Sequence, residues 1–197
     1  MSADSFSQKS NLTVAPAKFS LPSRLTAPSG EYSARGTIVI LQTTMGNIIL
    51  QMRDDKPLTA GNFVNLVNQS FYDGTIFHRV IAGFMIQGGE NQDFDVASIP
   101  DEIGTDNRNV AGTIAMAKTN QPNSATSQFF INLGDNGKNI IDRTGTRFDT
   151  VFTVFGQVIA GMDVVIKISQ VLVTRNIYGE NSQPTQPVTL MKATAFF

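Results

Sequence analysis

Apolar residues along this chain recur mostly in short runs with a period of two, separated by turns rich in Gly, Asn and Asp. Such alternation marks half-buried β-strands, whose successive side chains point to opposite faces. TIVILQT (37–43) and IILQM (48–52), joined through Met45–Gly46–Asn47, predict a hairpin. IFHRV (76–80), FMIQGG (84–89), TIAMA (113–117), SQFFINL (127–133) and VFTVFGQV (151–158) predict further strands, and PVTLMKATAFF (187–197) a last one. Two segments change period. Pro57 opens a helix whose stripe is Phe63, Leu66, Val67 and Ser70, ended by Tyr72–Asp73–Gly74. Gly161–Met162–Asp163 leads a second, with Val164, Val165 and Ile168 as its apolar face. Residues 90–110 and 174–187 are polar and read as loops. Many short strands with two short helices predict a mainly β fold, a closed antiparallel barrel capped by the helices. Residues 1–35 hold Ser, Ala, Pro and Thr with no sustained period, and read as a flexible tail before a folded domain at 36–197.

Composition narrows the chemistry. A hydrophobic share of 41% supports a real core in 197 residues. A formal net charge of -1 gives no electrostatic case for nucleic acid or an anionic membrane. No apolar run approaches the roughly 18 residues of a membrane span. With no cysteine, thiol chemistry is excluded, and one histidine argues against a histidine metal site or a Ser–His triad. No cofactor is implied. Charged residues make up 16%, and Ser, Thr, Asn and Gln fill the gap, a feature of exported proteins. The start lacks the basic and apolar regions of a signal peptide, so the sequence as it stands reads as cytoplasmic, with export after removal of a signal as the alternative.

The period of two also sorts the polar residues. Met85 and Gln87 share a face, as do Gln128 and Phe130, and Arg79 stands one short turn (Ile81–Ala82–Gly83) before Phe84. A guanidinium, two amides, a thioether and an aromatic ring would then surround one shallow apolar patch. Such a site binds and polarises; it holds no carboxylate pair, thiol or metal cluster with which to hydrolyse. The close acidic pairs Asp54–Asp55 and Asp101–Glu102 fall in loop-like contexts and read as solvated turn residues, which argues against an acid-dependent hydrolase.

FHRVIAGFMIQGG (77–89), GTIAMA (112–117), SQFFIN (127–132) and VFGQVIAGMDVV (154–165) resemble, in order and spacing, the motifs of the cyclophilins, the peptidyl-prolyl cis–trans isomerases. The resemblance spans Gly36 to Phe197 and is closest to bacterial-type members. It implies eight strands with a helix over each end, and an active groove on the outer wall. Arg79 matches the catalytic arginine, which donates to the prolyl nitrogen, and Gln87 the glutamine that orients it. Gln128 matches a second substrate-side glutamine, and Phe84, Met85 and Phe130 the walls of the proline pocket. Ala117, Lys118 and Thr119 lie where the family's backbone pairs with substrate as an added strand. Eukaryotic members usually carry Asn in place of Lys118, so any side-chain role there is in question. Residues 134–152 depart from the eukaryotic pattern: with no tryptophan, Ile141 and Phe152 are the candidates for the pocket's outer wall. Weak cyclosporin binding is therefore expected, beside proline-containing polypeptides as substrates and a monomeric state. His78 should point away from Arg79, packed and hydrogen-bonded. A non-catalytic module holding proline peptides is the alternative within the same fold, which retention of Arg79 disfavours.

Overall fold

The computed structural model describes residues 24–25, 36–139 and 147–197. The elements in chain order begin with β1 (Arg24–Leu25), β2 (Ile38–Thr43), β3 (Gly46–Met52), α1 (Pro57–Asn68), β4 (Arg79–Ile81), β5 (Met85–Gly88), β6 (Asp95–Val96) and β7 (Thr113–Met116). They continue with β8 (Phe129–Asn132), α2 (Asn136–Asn139), β9 (Val154–Ala160), α3 (Met162–Ser169), β10 (Val173–Arg175), β11 (Asn181–Pro184) and β12 (Leu190–Phe196). Eight strands form one antiparallel sheet in the order β12-β2-β3-β9-β7-β8-β5-β4, curled around a common core. The ladder itself does not run from β4 to β12. The seam is instead crossed by the segments just before them: Gly74 and Phe77 N–H donate to Leu190 and Val188 carbonyls, and Leu190 N–H donates to Thr75 O. The barrel is thus an almost completed turn of sheet, stitched at one short stretch rather than closed by a full ladder.

Alternation decides what fills the interior. Leu41, Ile48, Leu50, Ile86, Ile114 and Ile131 are fully buried on the inner face, each flanked in sequence by a residue of the opposite face. Helix α1 presents Phe63, Val64, Leu66 and Val67 to this core, and α3 presents Val164, Val165 and Ile168. Gly161 precedes α3 at φ +85°, where a Cβ would run into the Asn47 carbonyl, so only glycine fits that entry.

Three details differ from the sequence expectation. The first hairpin turns at Thr44–Met45, because Gly46 already pairs with Thr43. Helix α1 ends at Asn68, and Ser70 takes a positive φ of 55° outside it. The reversal there carries Phe71 and Tyr72 into the core, where the Tyr72 ring packs tilted against Phe63 with centres 5.1 Å apart and its hydroxyl donates to Ser127 O at 2.9 Å. Finally, 174–187 is no plain loop: β10 and β11 pair antiparallel within it. Both strands are largely exposed, so neither carries the apolar alternation that would reveal it.

The acidic residues read as solvated have structural work. Glu102 accepts from Leu58 N–H (3.2 Å), Thr59 N–H (2.7 Å) and Thr59 Oγ1 (2.6 Å). It caps α1 from across the chain, and the helix has no side-chain cap of its own. Asp55 is held below the usual carboxylate range by hydrogen bonds from Arg53.

Candidate active site

The face opposite the core carries a second, separate apolar cluster. Met85, Ala115, Phe130 and Val154 are buried in it, and Ile81, Phe84, Ala117, Phe148 and Phe152 pack around them. Register aligns the strands that build it. Met85 and Gln87 alternate with the core residue Ile86, Gln87 sits opposite Phe130, and Phe130 opposite Ala115. Ala115 in turn faces Val154. The turn from β4 to β5 needs Gly83 at φ +73°, and it returns Phe84 to the rim, its N–H bonded to Ile81 O.

Polar groups border this patch in a chain. Arg79 pairs with Gln87 across β4 and β5. Arg79 Nη1 donates to Gln87 Oε1 at 3.3 Å, and Gln87 Nε2 donates to Gln128 Oε1 at 2.9 Å. The guanidinium lies 5.7 Å from the centre of the Phe84 ring, within cation–π reach. Its Nε and Nη2 donate to the two carboxylate oxygens of Glu180, at 2.6 and 2.8 Å. Glu180 was absent from the sequence reading. It belongs to the polar β10–β11 turn, and nothing in the spacing of such a stretch points to an arginine 101 residues away.

The structure brings together Arg79, Phe84, Met85, Gln87, Gln128, Phe130 and Phe152. Ala117 joins the patch, while its N–H is already spent on Gln128 O at 2.9 Å. The side chains of Lys118 and Thr119 turn elsewhere. Lys118 Nζ donates to Asp101 Oδ2 at 2.7 Å with both side chains mostly buried, and Thr119 Oγ1 donates to Ser124 Oγ at 2.8 Å. Both side chains are thus engaged within the protein. Ile141 lies outside the described residues. The residue seen against the rim is Phe148, which the sequence reading missed: its ring is 5.7 Å from Phe84, 6.1 Å from Phe130 and 4.7 Å from Phe152. It is delivered by a single 3-10 turn, Phe148–Thr150, too short for any periodic signal.

Buried asparagines hold that wall in place. Asn107 Nδ2 donates to the carbonyls of Asp149 (2.7 Å) and Phe152 (2.9 Å), while its Oδ1 accepts from Val154 N–H at 2.8 Å. Asn109 Nδ2 reaches the Phe148 and Phe152 carbonyls, and its Oδ1 accepts from Asn132. Asn136 links Asn132 Oδ1 at 2.7 Å to the Phe84 carbonyl at 2.8 Å. Both rims of the patch are therefore tied to one satisfied amide network, which fixes their separation.

His78 departs from expectation. Its Nδ1 is buried with no hydrogen-bond partner, and Glu90 stands 3.8 Å away. Burial lowers its pKa below the ordinary value; Glu90 opposes this and the Arg79 charge adds to it. Among the described residues, no three His, Cys, Asp or Glu gather as a metal site, and no helix is long and apolar enough to cross a membrane.

An apolar patch on the outer face of the sheet, bordered by an arginine and two amides, has the makeup of a peptide-binding surface. Comparison with known proteins agrees. Residues 38–195 match the family model "Cyclophilin type peptidyl-prolyl cis-trans isomerase/CLD". The chain is 45% identical over 176 residues to peptidyl-prolyl cis-trans isomerase A of Dickeya dadantii, covering 86% of this chain and 90% of that one. It is 42% identical over 146 residues to isomerase B of Escherichia coli, covering 71% and 88%. The fold matches a cyclophilin of Cryptosporidium parvum, crystallised in the presence of the dipeptide Ala-Pro, with a TM-score of 0.68 and 22% identity, over 81% of this chain and 99% of that one. The chain belongs to the cyclophilin-type peptidyl-prolyl cis–trans isomerases.

Proposed function

We propose that this enzyme catalyses rotation about X-Pro bonds of polypeptides by donation from Arg79 to the prolyl nitrogen, and that it thereby assists folding. The prolyl bond is a conjugated amide, with a rotational barrier of about 18–20 kcal/mol. Uncatalysed exchange takes roughly 10–100 s at room temperature. Rotation removes conjugation and leaves a lone pair on a pyramidal nitrogen. A donor aimed there favours the twisted state over the planar one, and only such a difference accelerates a reaction. Glu180 and Gln87 engage three of the five guanidinium N–H groups, which leaves two for the substrate among the described residues. Phe84, Met85, Phe130, Phe148 and Phe152 would enclose the pyrrolidine ring, with Gln128 and the backbone of Ala117–Thr119 along the peptide. The single observation that carries the reading is the placement of Arg79 and Gln87 at the rim of that patch.

The mechanism moves no proton. Arginine stays charged and the glutamines do not ionise, so kcat/KM in a protease-coupled isomerisation assay should be flat between about pH 6 and 8. A bell-shaped profile in that range would falsify the mechanism, because it would demand an acid or base such as His78. Cyclosporin binding should be weak. In the family, tight binding draws on a tryptophan N–H at the outer wall, and the chain has no tryptophan. A lost hydrogen bond leaving a drug carbonyl unpaired costs about 1–3 kcal/mol, and lost ring contact adds to it. Inhibition titrations should give a constant at least roughly tenfold weaker than for tryptophan-bearing relatives. Equal potency would remove the outer wall from the explanation.

A further inference from the structure

We infer that Glu180 is a positioning residue for catalysis: the β10–β11 hairpin presents its carboxylate to the lateral fork of Arg79 and so aims the remaining donors into the groove. This rests on the reading of Arg79 as the donor to the prolyl nitrogen. The contact is bidentate and charge-assisted, with N–O distances of 2.6 and 2.8 Å. Both side chains are about two-thirds covered, at 31% and 35% exposure, which separates the pair from solvated surface pairs. The carboxylate takes Nε and one edge of Nη2, Gln87 takes Nη1 from the other side, and the Phe84 ring lies 5.7 Å from the guanidinium carbon. A flexible side chain is thereby held from three directions while N–H groups stay uncommitted.

The hairpin is built to present that acid. Asn176 Oδ1 accepts from the N–H of Tyr178 (2.9 Å) and of Glu180 (3.0 Å), and Asn176 N–H donates to Glu180 O at 2.8 Å. Asn176 Nδ2 reaches Ser182 Oγ at 3.1 Å, and Gly179 makes the turn at φ +82°, a region that disfavours a side chain. β11 itself runs alongside β4, the strand that begins with Arg79. A surface hairpin outside the barrel thus acquires a part in the reaction.

The test is a double-mutant cycle read by coupled isomerisation and thermal melting on the native protein, E180Q, R79A and R79A/E180Q. The amide of E180Q keeps the shape and loses the charge. E180Q should lower kcat by roughly three- to tenfold with KM changed less than about twofold, and the same change should have no effect once Arg79 is absent. E180A, which removes the fork acceptor altogether, should lose at least as much as E180Q and keep its melting temperature. Equal losses from E180Q in both backgrounds would reduce Glu180 to a structural role and overturn the inference. Native activity in E180Q and E180A, with R79A impaired, would also overturn it while leaving Arg79 as the donor. Native activity in R79A would instead remove the underlying reading.

Discussion

Arg79 and His78 are neighbours in the chain and opposites in environment. Strand alternation sends Arg79 to the groove, where Glu180 and Gln87 engage it, and leaves His78 with a buried Nδ1 that no donor or acceptor meets. Desolvation favours the neutral imidazole, so the folded protein has the lower His78 pKa. Below about 6.5 the unfolded chain binds this proton before the folded one does. Stability should therefore fall as pH drops through 6.5 towards the folded value, and this contribution should level off below it. Melting from pH 7.5 to 5.5 should show a larger loss for the native protein than for His78→Gln, which cannot titrate; identical slopes would mean that His78 is not buried neutral. At this scale the sequence was a good guide wherever period two applied. Arg79, Met85, Gln87, Gln128 and Phe130 could be set on one face because strands permit only two faces. Glu180 could not, because its approach to Arg79 depends on a long-range packing of β11 on β4.

Single elements position the groove through unlike means. The long strands and both main helices were legible, since burial on one side imposes a period. What escaped was short or exposed. The 3-10 turn that delivers Phe148 is three residues long, and its place is set by Asn107 and Asn109 rather than by any apolar repeat. The β10–β11 hairpin lies outside the barrel and has almost nothing to bury. Helix α1 had a readable start at Pro57 but an unreadable cap, because the acceptor comes from Glu102, 43 residues away from Thr59. Removing that acceptor leaves the first-turn N–H groups unpaired. Glu102→Ala should destabilise the protein by about 1–2 kcal/mol, with KM for a proline peptide little changed. Denaturant titration would measure it, and unchanged stability would show that the helix start does not depend on this carboxylate.

On the scale of the whole molecule, the barrel separates stability from chemistry. Its interior is filled by an apolar core, and the opposite face of the sheet bears a second, smaller apolar cluster around Met85, Ala115, Phe130 and Val154. Strands β4, β5, β8, β7 and β9 lie side by side in the sheet, so residues from chain segments far apart meet in fixed register. The rim is tied to buried amides and the guanidinium to a carboxylate, so on the proposed mechanism little reorganisation would be needed as the bond twists. The eight-stranded architecture was inferable from motif order; the stitched seam between residues 74–77 and 188–190 was not, because isolated bonds leave no pattern. On the proposed mechanism, one charged donor, Arg79, accelerates the rotation. A charged hydrogen bond is worth about 1.5–3 kcal/mol, or roughly 10- to 150-fold in rate. The direct measurement is kcat/KM of Arg79→Ala against the native enzyme in a coupled proline-isomerisation assay, with melting temperature alongside. A loss of at least about tenfold with melting little changed is the predicted result; a folded variant with native activity would contradict the account.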